Sequence, residues 1–136
     1  MSSELELIKQ RVLKEMMIKS TAPPKCPQES KGDMTKIDEV LAKCNLALVD
    51  FWAEWCGPCR LVEPVVARIM EAYRDKLAVV KVNVDENPDV AAAYDVYSIP
   101  TLILFYKGRE ARRFVGYSPL LYQNIAKSIE MYLPKT

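Results

Sequence analysis

Cys56 and Cys59 stand with two residues between them, at the point where a nearly continuous apolar run, Leu46 to Ala53, gives way to a helical pattern. At a helix N-terminus the free backbone N–H groups and the positive end of the dipole stabilise an anion. The thiolate of Cys56 should therefore form more readily than that of a free cysteine, whose pKa is about 8.5. A thiolate at neutral pH is a nucleophile. Cys59 falls almost one helical turn further in, near enough to bridge to Cys56 but shielded from solvent, which suits a resolving thiol rather than an attacking one. The competing use of paired cysteines is a structural zinc site, which needs four ligands. Cys26 and Cys44 stand at spacings that match no second pair, and the chain has no histidine, so no metal is expected. Ligation of a metal or an iron–sulfur cluster by all four cysteines would show itself as stoichiometric metal or colour in the purified protein.

Two further residues could assist a dithiol. Asp50 interrupts the apolar run between Val49 and Phe51. It is either a partly wet strand end or a buried acid whose pKa is raised and which is ready to move a proton. Lys81, in Val79-Val80-Lys81-Val82, reads on its own as a solvated strand position. What the chain lacks narrows the chemistry further. With His 0 there is no Ser/His/Asp triad and no imidazole proton shuttle. The four glycines, Gly32, Gly57, Gly108 and Gly116, permit neither a dinucleotide-binding nor a Walker-type phosphate loop, and no bound cofactor is called for.

The 136 residues suffice for one ordinary domain, with 50% hydrophobic and 27% charged residues, the balance of a soluble globular protein. A net charge of +1 gives nucleic acid no encouragement, and no apolar stretch is long enough to span a membrane. Charges at Glu4, Glu6, Lys9, Arg11, Lys14 and Glu15 argue against a signal peptide, which leaves a cytoplasmic address as the expectation. Leu5, Ile8, Val12 and Met16 recur at helical spacing, predicting an amphipathic helix over Glu4 to Lys19, followed by a Pro-rich linker from Ser20 to Asp33. Beyond it the pattern predicts helix over Thr35 to Lys43, strand over Leu46 to Ala53, helix over Pro58 to Tyr73 and strand over Leu77 to Val84. A helix from Pro88 to Tyr94 capped by Asn87, a hairpin of Thr101 to Tyr106 with Arg109 to Val115, and a final helix capped by Ser118 complete it. The apolar run implies a parallel neighbour, and the whole is an α/β sandwich with a mixed sheet between helices. The expected division is an N-terminal extension over residues 1–33 and a domain over residues 34–136.

The run Val49-Asp50-Phe51-Trp52-Ala53-Glu54-Trp55-Cys56-Gly57-Pro58-Cys59 is specific enough to name a family: it resembles thioredoxin. Ser98-Ile99-Pro100-Thr101, the Lys107-Gly108 turn and Val115-Gly116 follow in the order the resemblance requires. The resemblance implies a thioredoxin fold with a four- or five-stranded sheet, a redox-active dithiol at Cys56 and Cys59, and reduction of disulfides in other proteins. It implies that Asp50 is the buried acid that deprotonates Cys59 and that Lys81 is a lysine close to it. It also implies a cis-proline loop at Ile99-Pro100, with the backbone of Ile99 turned outward to pair with an extended substrate strand. Trp55, Gly57, Pro58, Ile99, Pro100, Val115 and Gly116 would form a flat docking patch, although Val115 and Gly116 also suit simple hairpin-to-helix packing. Trp52 reads as core, and Pro64 as the site of a kink in the active-site helix. The electron donor implied is a thioredoxin reductase, and Gly57-Pro58 resembles the reducing members more than oxidising relatives that carry His there.

The sequence departs from the family at its start. Where a first strand belongs, Ala22 to Asp33 carries three prolines, so that strand should be irregular or missing. The helix before it is extra and could cover the sheet edge, pack on another subunit, recruit a partner or stay loosely attached; packing on the domain is the simplest use. Cys44 reads as a buried apolar residue and Cys26 as an exposed thiol. A bond between them would instead staple the extension down, worth about 3 kcal/mol in the chain-entropy account. The rival from another class is a binding module that keeps the fold and docks partners without turnover. An intact dithiol with Asp50 and Pro100 argues against it.

Overall fold

The apolar run that leads into Cys56 forms the middle of a five-stranded sheet. In the computed structural model, residues 29–134 are described together with Glu4, Ile8 and Lys9. Of the helix expected over Glu4 to Lys19, those three residues are helical; the rest of it, and the linker through Pro27, lie outside the described residues. The strands are β1 (Glu29–Lys31), β2 (Leu46–Trp52), β3 (Ala78–Asn83), β4 (Thr101–Tyr106) and β5 (Arg109–Val115), in the spatial order β1-β3-β2-β4-β5. β2 runs parallel to β3, as its apolar composition implies, and antiparallel to β4 on its other edge. β1 is present, so the sheet has its fifth strand: the three residues lie beyond Pro27, keep all their N–H groups, and pair in parallel with β3.

Alternation along β2 assigns each side chain to a face. Leu46 and Leu48, with Val79 of β3 and Leu102 and Leu104 of β4, pack against α2 (Gly57–Ala72) and α4 (Leu121–Tyr132) through Val62, Val66, Ile69, Ile125 and Ile129. Ala47, Val49 and Phe51 face the other way. They meet α1 (Met34–Lys43) and α3 (Pro88–Ala93) through Ile37, Val40 and Val90. Asp50 follows Leu48 on the α2 face, so the helix that begins beside the cysteines also covers the acid.

Local chemistry sets the ends. Asp33 caps α1, its carboxylate accepting the Lys36 N–H at 3.1 Å. Asn87 precedes α3 but spends its side chain donating to the Asn83 carbonyl instead of capping. Ser118 accepts the Leu120 and Leu121 N–H groups in a turn of its own, so α4 starts later than its sequence suggests, at Leu121. Lys107 and Gly108 both take the left-handed conformation, φ 51 and 80, that a tight hairpin turn demands. Cys44, at the C-cap of α1, is buried as expected but is held in a disulfide rather than left as an apolar thiol. The expected alternative, a bond to Cys26, involves a residue outside those described.

Ile69 is fully buried where α2 crosses the sheet. Ile69→Ala should cost about 3 kcal/mol in urea unfolding of the oxidised protein with an unchanged m-value. A loss well under 1 kcal/mol would show that the packing of α2 on the sheet does not hold the helix in place.

Candidate active site

β2 ends at Trp52, the chain turns, and α2 begins at Gly57 with Cys56 as its N-cap. Caps are ordinarily hydroxyl or carboxyl side chains that accept an N–H from the first turn; here a sulfur takes that place, and Cys56 Sγ accepts the Cys59 N–H at 3.2 Å. Pro58 fits the first turn because no donor is needed there. Cys56 and Cys59 are joined in a disulfide across a Cα–Cα distance of 5.3 Å. Both are buried, at 4% and 5% exposure, so in the oxidised form burial does not set Cys59 apart as the sequence suggested. The bond draws both sulfurs into one cluster with Ala53, against Trp52, Val84 and Ile99. What distinguishes them is the hydrogen bond to Cys56. Further along, α2 runs through Pro64, which lacks the N–H that would bond the Arg60 carbonyl.

Ile99 reaches this cluster from a loop whose Ile99–Pro100 peptide bond is cis. The hairpin holds that loop: the Pro100 carbonyl accepts the Gly116 N–H at 2.8 Å, and Thr101 stands opposite Val115 in the β4–β5 register. Ile99, Pro100, Val115 and Gly116 are thereby brought together, and Val115 is 63% exposed, more than hairpin-to-helix packing would leave it. Arg113, which sequence reading missed, fastens the start of the loop by donating to the carbonyls of Tyr94 and Asp95, with Glu110 holding its guanidinium. Trp55 is exposed as expected. Its indole N–H donates to Asp85 at 2.8 Å, across 30 residues of sequence, a partner that nothing local announces. Trp55, Val84, Val96, Tyr97 and Ile99 line an open groove of about 390 Å³ beside the dithiol.

The other side of the dithiol is charged. A cleft of about 510 Å³ is bordered by Cys59, Asp50, Trp52, Glu63, Lys81 and Glu29. Asp50 is buried, not a wet strand end, and its Oδ1 has no hydrogen-bond partner among the described residues. Burial pushes its pKa up to about 6, against the pull of Lys81 and with a smaller push from Glu63. Lys81 stands opposite Asp50 in the β2–β3 register, mostly buried, with its ammonium 3.1 Å from Glu29. It is therefore not a solvated position, and its ion pair is with Glu29. Trp52, expected in the core, is half-buried and borders this cleft.

The thioredoxin family profile matches residues 31–130. The chain belongs to the thioredoxin family. It is 48% identical to thioredoxin 1 of Nostoc over 74% of this chain and 92% of that one. With a thioredoxin of Synechocystis it shares 46% identity over 79% of this chain and 96% of the relative. Among solved structures it is similar to a thioredoxin from Halobacterium salinarum, with a TM-score of 0.70 and 37% identity, covering 83% of this chain and 96% of that chain. This thioredoxin is accordingly a protein thiol–disulfide oxidoreductase, and Cys56–Cys59 is its redox-active disulfide. No helix among its described residues is long and apolar enough to cross a membrane.

The buried acid leaves a signature in stability. Asp50 binds its proton more tightly in the folded thioredoxin, at about 6, than at its ordinary value of 3.8, so raising the pH through that window removes stability. Below about pH 3 the carboxyl is neutral in both states and burial carries no charge penalty. Above pH 6 the folded protein must bury a carboxylate, a penalty of about 3 kcal/mol. Asp50→Asn should therefore stabilise the oxidised protein in denaturant at pH 8 by an amount of that order and change little at pH 4. Equal effects at the two pH values would show that the carboxyl is not buried as described.

Proposed function

We propose that this thioredoxin reduces disulfides in other proteins, with Cys56 attacking, Cys59 resolving and Asp50 moving the proton between them. The Cys56 thiolate attacks one sulfur of a substrate disulfide; that bond breaks, the departing substrate thiolate takes a proton from solvent, and a Cys56–substrate mixed disulfide forms. Asp50 then accepts the Cys59 proton. The Cys59 thiolate attacks the Cys56 sulfur, the substrate's second sulfur leaves and takes the proton back from Asp50, and the Cys56–Cys59 disulfide closes. Two electrons pass to the substrate. The next dithiol must come from a donor that reduces Cys56–Cys59, and a thioredoxin reductase fits that part. The observation that carries this reading is the pairing of the Cys56 sulfur, which accepts a helix N–H, with a buried acid, its Oδ1 without a hydrogen-bond partner among the described residues, in the cleft that Cys59 borders.

Substrate would lie across Trp55, Gly57, Pro58, Ile99, Pro100, Val115 and Gly116, with an extended segment paired to the backbone of Ile99. Residues 34–136 hold the groups that react, with residues 1–33 as an addition that ends in the edge strand β1, and the setting is a cytoplasmic electron-transfer chain. A module that only held partners would need the exposed patch alone. Asp50, buried with its Oδ1 unbonded, works against stability at neutral pH, and proton transfer rather than docking gives it a use.

Insulin reduction driven by dithiothreitol tests the assignment. Cys56→Ser should abolish turnover, and Cys59→Ser mixed with insulin in the absence of dithiothreitol should accumulate covalent complexes on a non-reducing gel that added dithiothreitol releases. Steady turnover by Cys56→Ser, or complexes trapped through Cys59 in place of Cys56, would refute it.

A further inference from the structure

One charged pair in the cleft has no part in the steps above. The strand order β1-β3-β2 sets Lys81 between two acids, Asp50 on β2 and Glu29 on β1. Side chains alternate along strands, so Lys81, two residues beyond Val79, shares the face covered by α2. Asp50, beyond Leu48, shares it too, as do Glu29 and Lys31 on β1. Lys81 Nζ takes the outer acid, 3.1 Å from Glu29 Oε1, while Asp50 Oδ1 is left without a partner. One ammonium between two carboxylates stabilises more strongly the one it stands closer to. The other charged or titratable groups around the cleft are Lys31 on β1, Glu54 before α2, and Cys59, Arg60 and Glu63 on α2; the β4 residue opposite Asp50 is the apolar Leu102.

We propose that Glu29 is a positioning residue for the resolving step: it holds the Lys81 ammonium at the outer edge of the cleft and so withholds that charge from Asp50. This rests on the reading of Asp50 as the group that takes the Cys59 proton. A Lys81 free to turn fully toward Asp50 would fix the carboxylate in its charged form and leave it a poor proton carrier near neutral pH. The short edge strand thus supplies a side chain that sets how the buried acid titrates.

Carboxyl NMR titration of Asp50 in the full-length reduced protein tests this, in wild type, Glu29→Gln, Lys81→Met and the double variant. Losing the Glu29 charge frees Lys81 for Asp50 and favours the carboxylate, so in Glu29→Gln the midpoint should fall about one unit below the wild-type midpoint measured in the same reduced protein. Lys81→Met should raise it, and adding Glu29→Gln to Lys81→Met should leave it there. In Glu29→Gln the pH dependence of mixed-disulfide release, followed by rapid quench, should move down with the midpoint. An unmoved midpoint in Glu29→Gln, or an equal fall in the Lys81→Met background, overturns the proposal. A midpoint that falls while release keeps its wild-type pH dependence overturns the reading of Asp50 as the base, and with it the part of Glu29 in the reaction.

Discussion

The first turn of α2 has backbone N–H groups that no helical carbonyl can satisfy, and one of them points at the sulfur of Cys56. That contact makes a cysteine behave as a helix cap, and a cap that attracts donors is also a place where negative charge is stabilised. The rest of the site takes its position from it. α2 can begin there only because β2 delivers the chain to that point, and it stays there because Val62, Val66 and Ile69 anchor it to the sheet. Chemistry at the sulfur is thus tied to packing as far as three turns along the helix.

The sheet also supplies a different environment on each side of the dithiol. Trp55, Val84, Val96, Tyr97 and Ile99, the last of them beside the cis bond to Pro100, line an open, largely apolar groove. Asp50, Lys81 and Glu29 make a charged cleft. On the reading proposed above, an extended peptide and a migrating proton need opposite surroundings; alternation along β2 turns Asp50 toward α2 and the cleft, while Phe51 joins the core under α1 and α3. Burying a carboxyl with an oxygen left unbonded works against the fold at neutral pH, which makes its presence informative about the chemistry.

How much of this the sequence shows depends on how local each cause is. Cys56, Gly57, Pro58 and Cys59 declare a helix start within four residues, and the Lys107-Gly108 turn declares a hairpin within two, so both are legible directly. Asp50 is visible as a charge in an apolar run, but whether it is wet or buried depends on α2 folding back over it. The partners are the hidden part. Asp85 meets Trp55, Arg113 meets the Tyr94 carbonyl and Glu29 meets Lys81 through tertiary geometry alone, and each is an unremarkable surface charge in the linear chain. β1 is hidden for another reason: three prolines upstream dominate the local signal, and the strand exists because β3 offers it an open edge.

The central claim is that the amides of α2 hold Cys56 as an anion. The rate of alkylation of the reduced protein as a function of pH, with the modified cysteine identified by peptide mapping, measures this directly. Cys56 should react first, with a midpoint below the value of about 8.5 found for an unstructured cysteine. A midpoint at or above that value, or modification of Cys59 ahead of Cys56, would contradict the account.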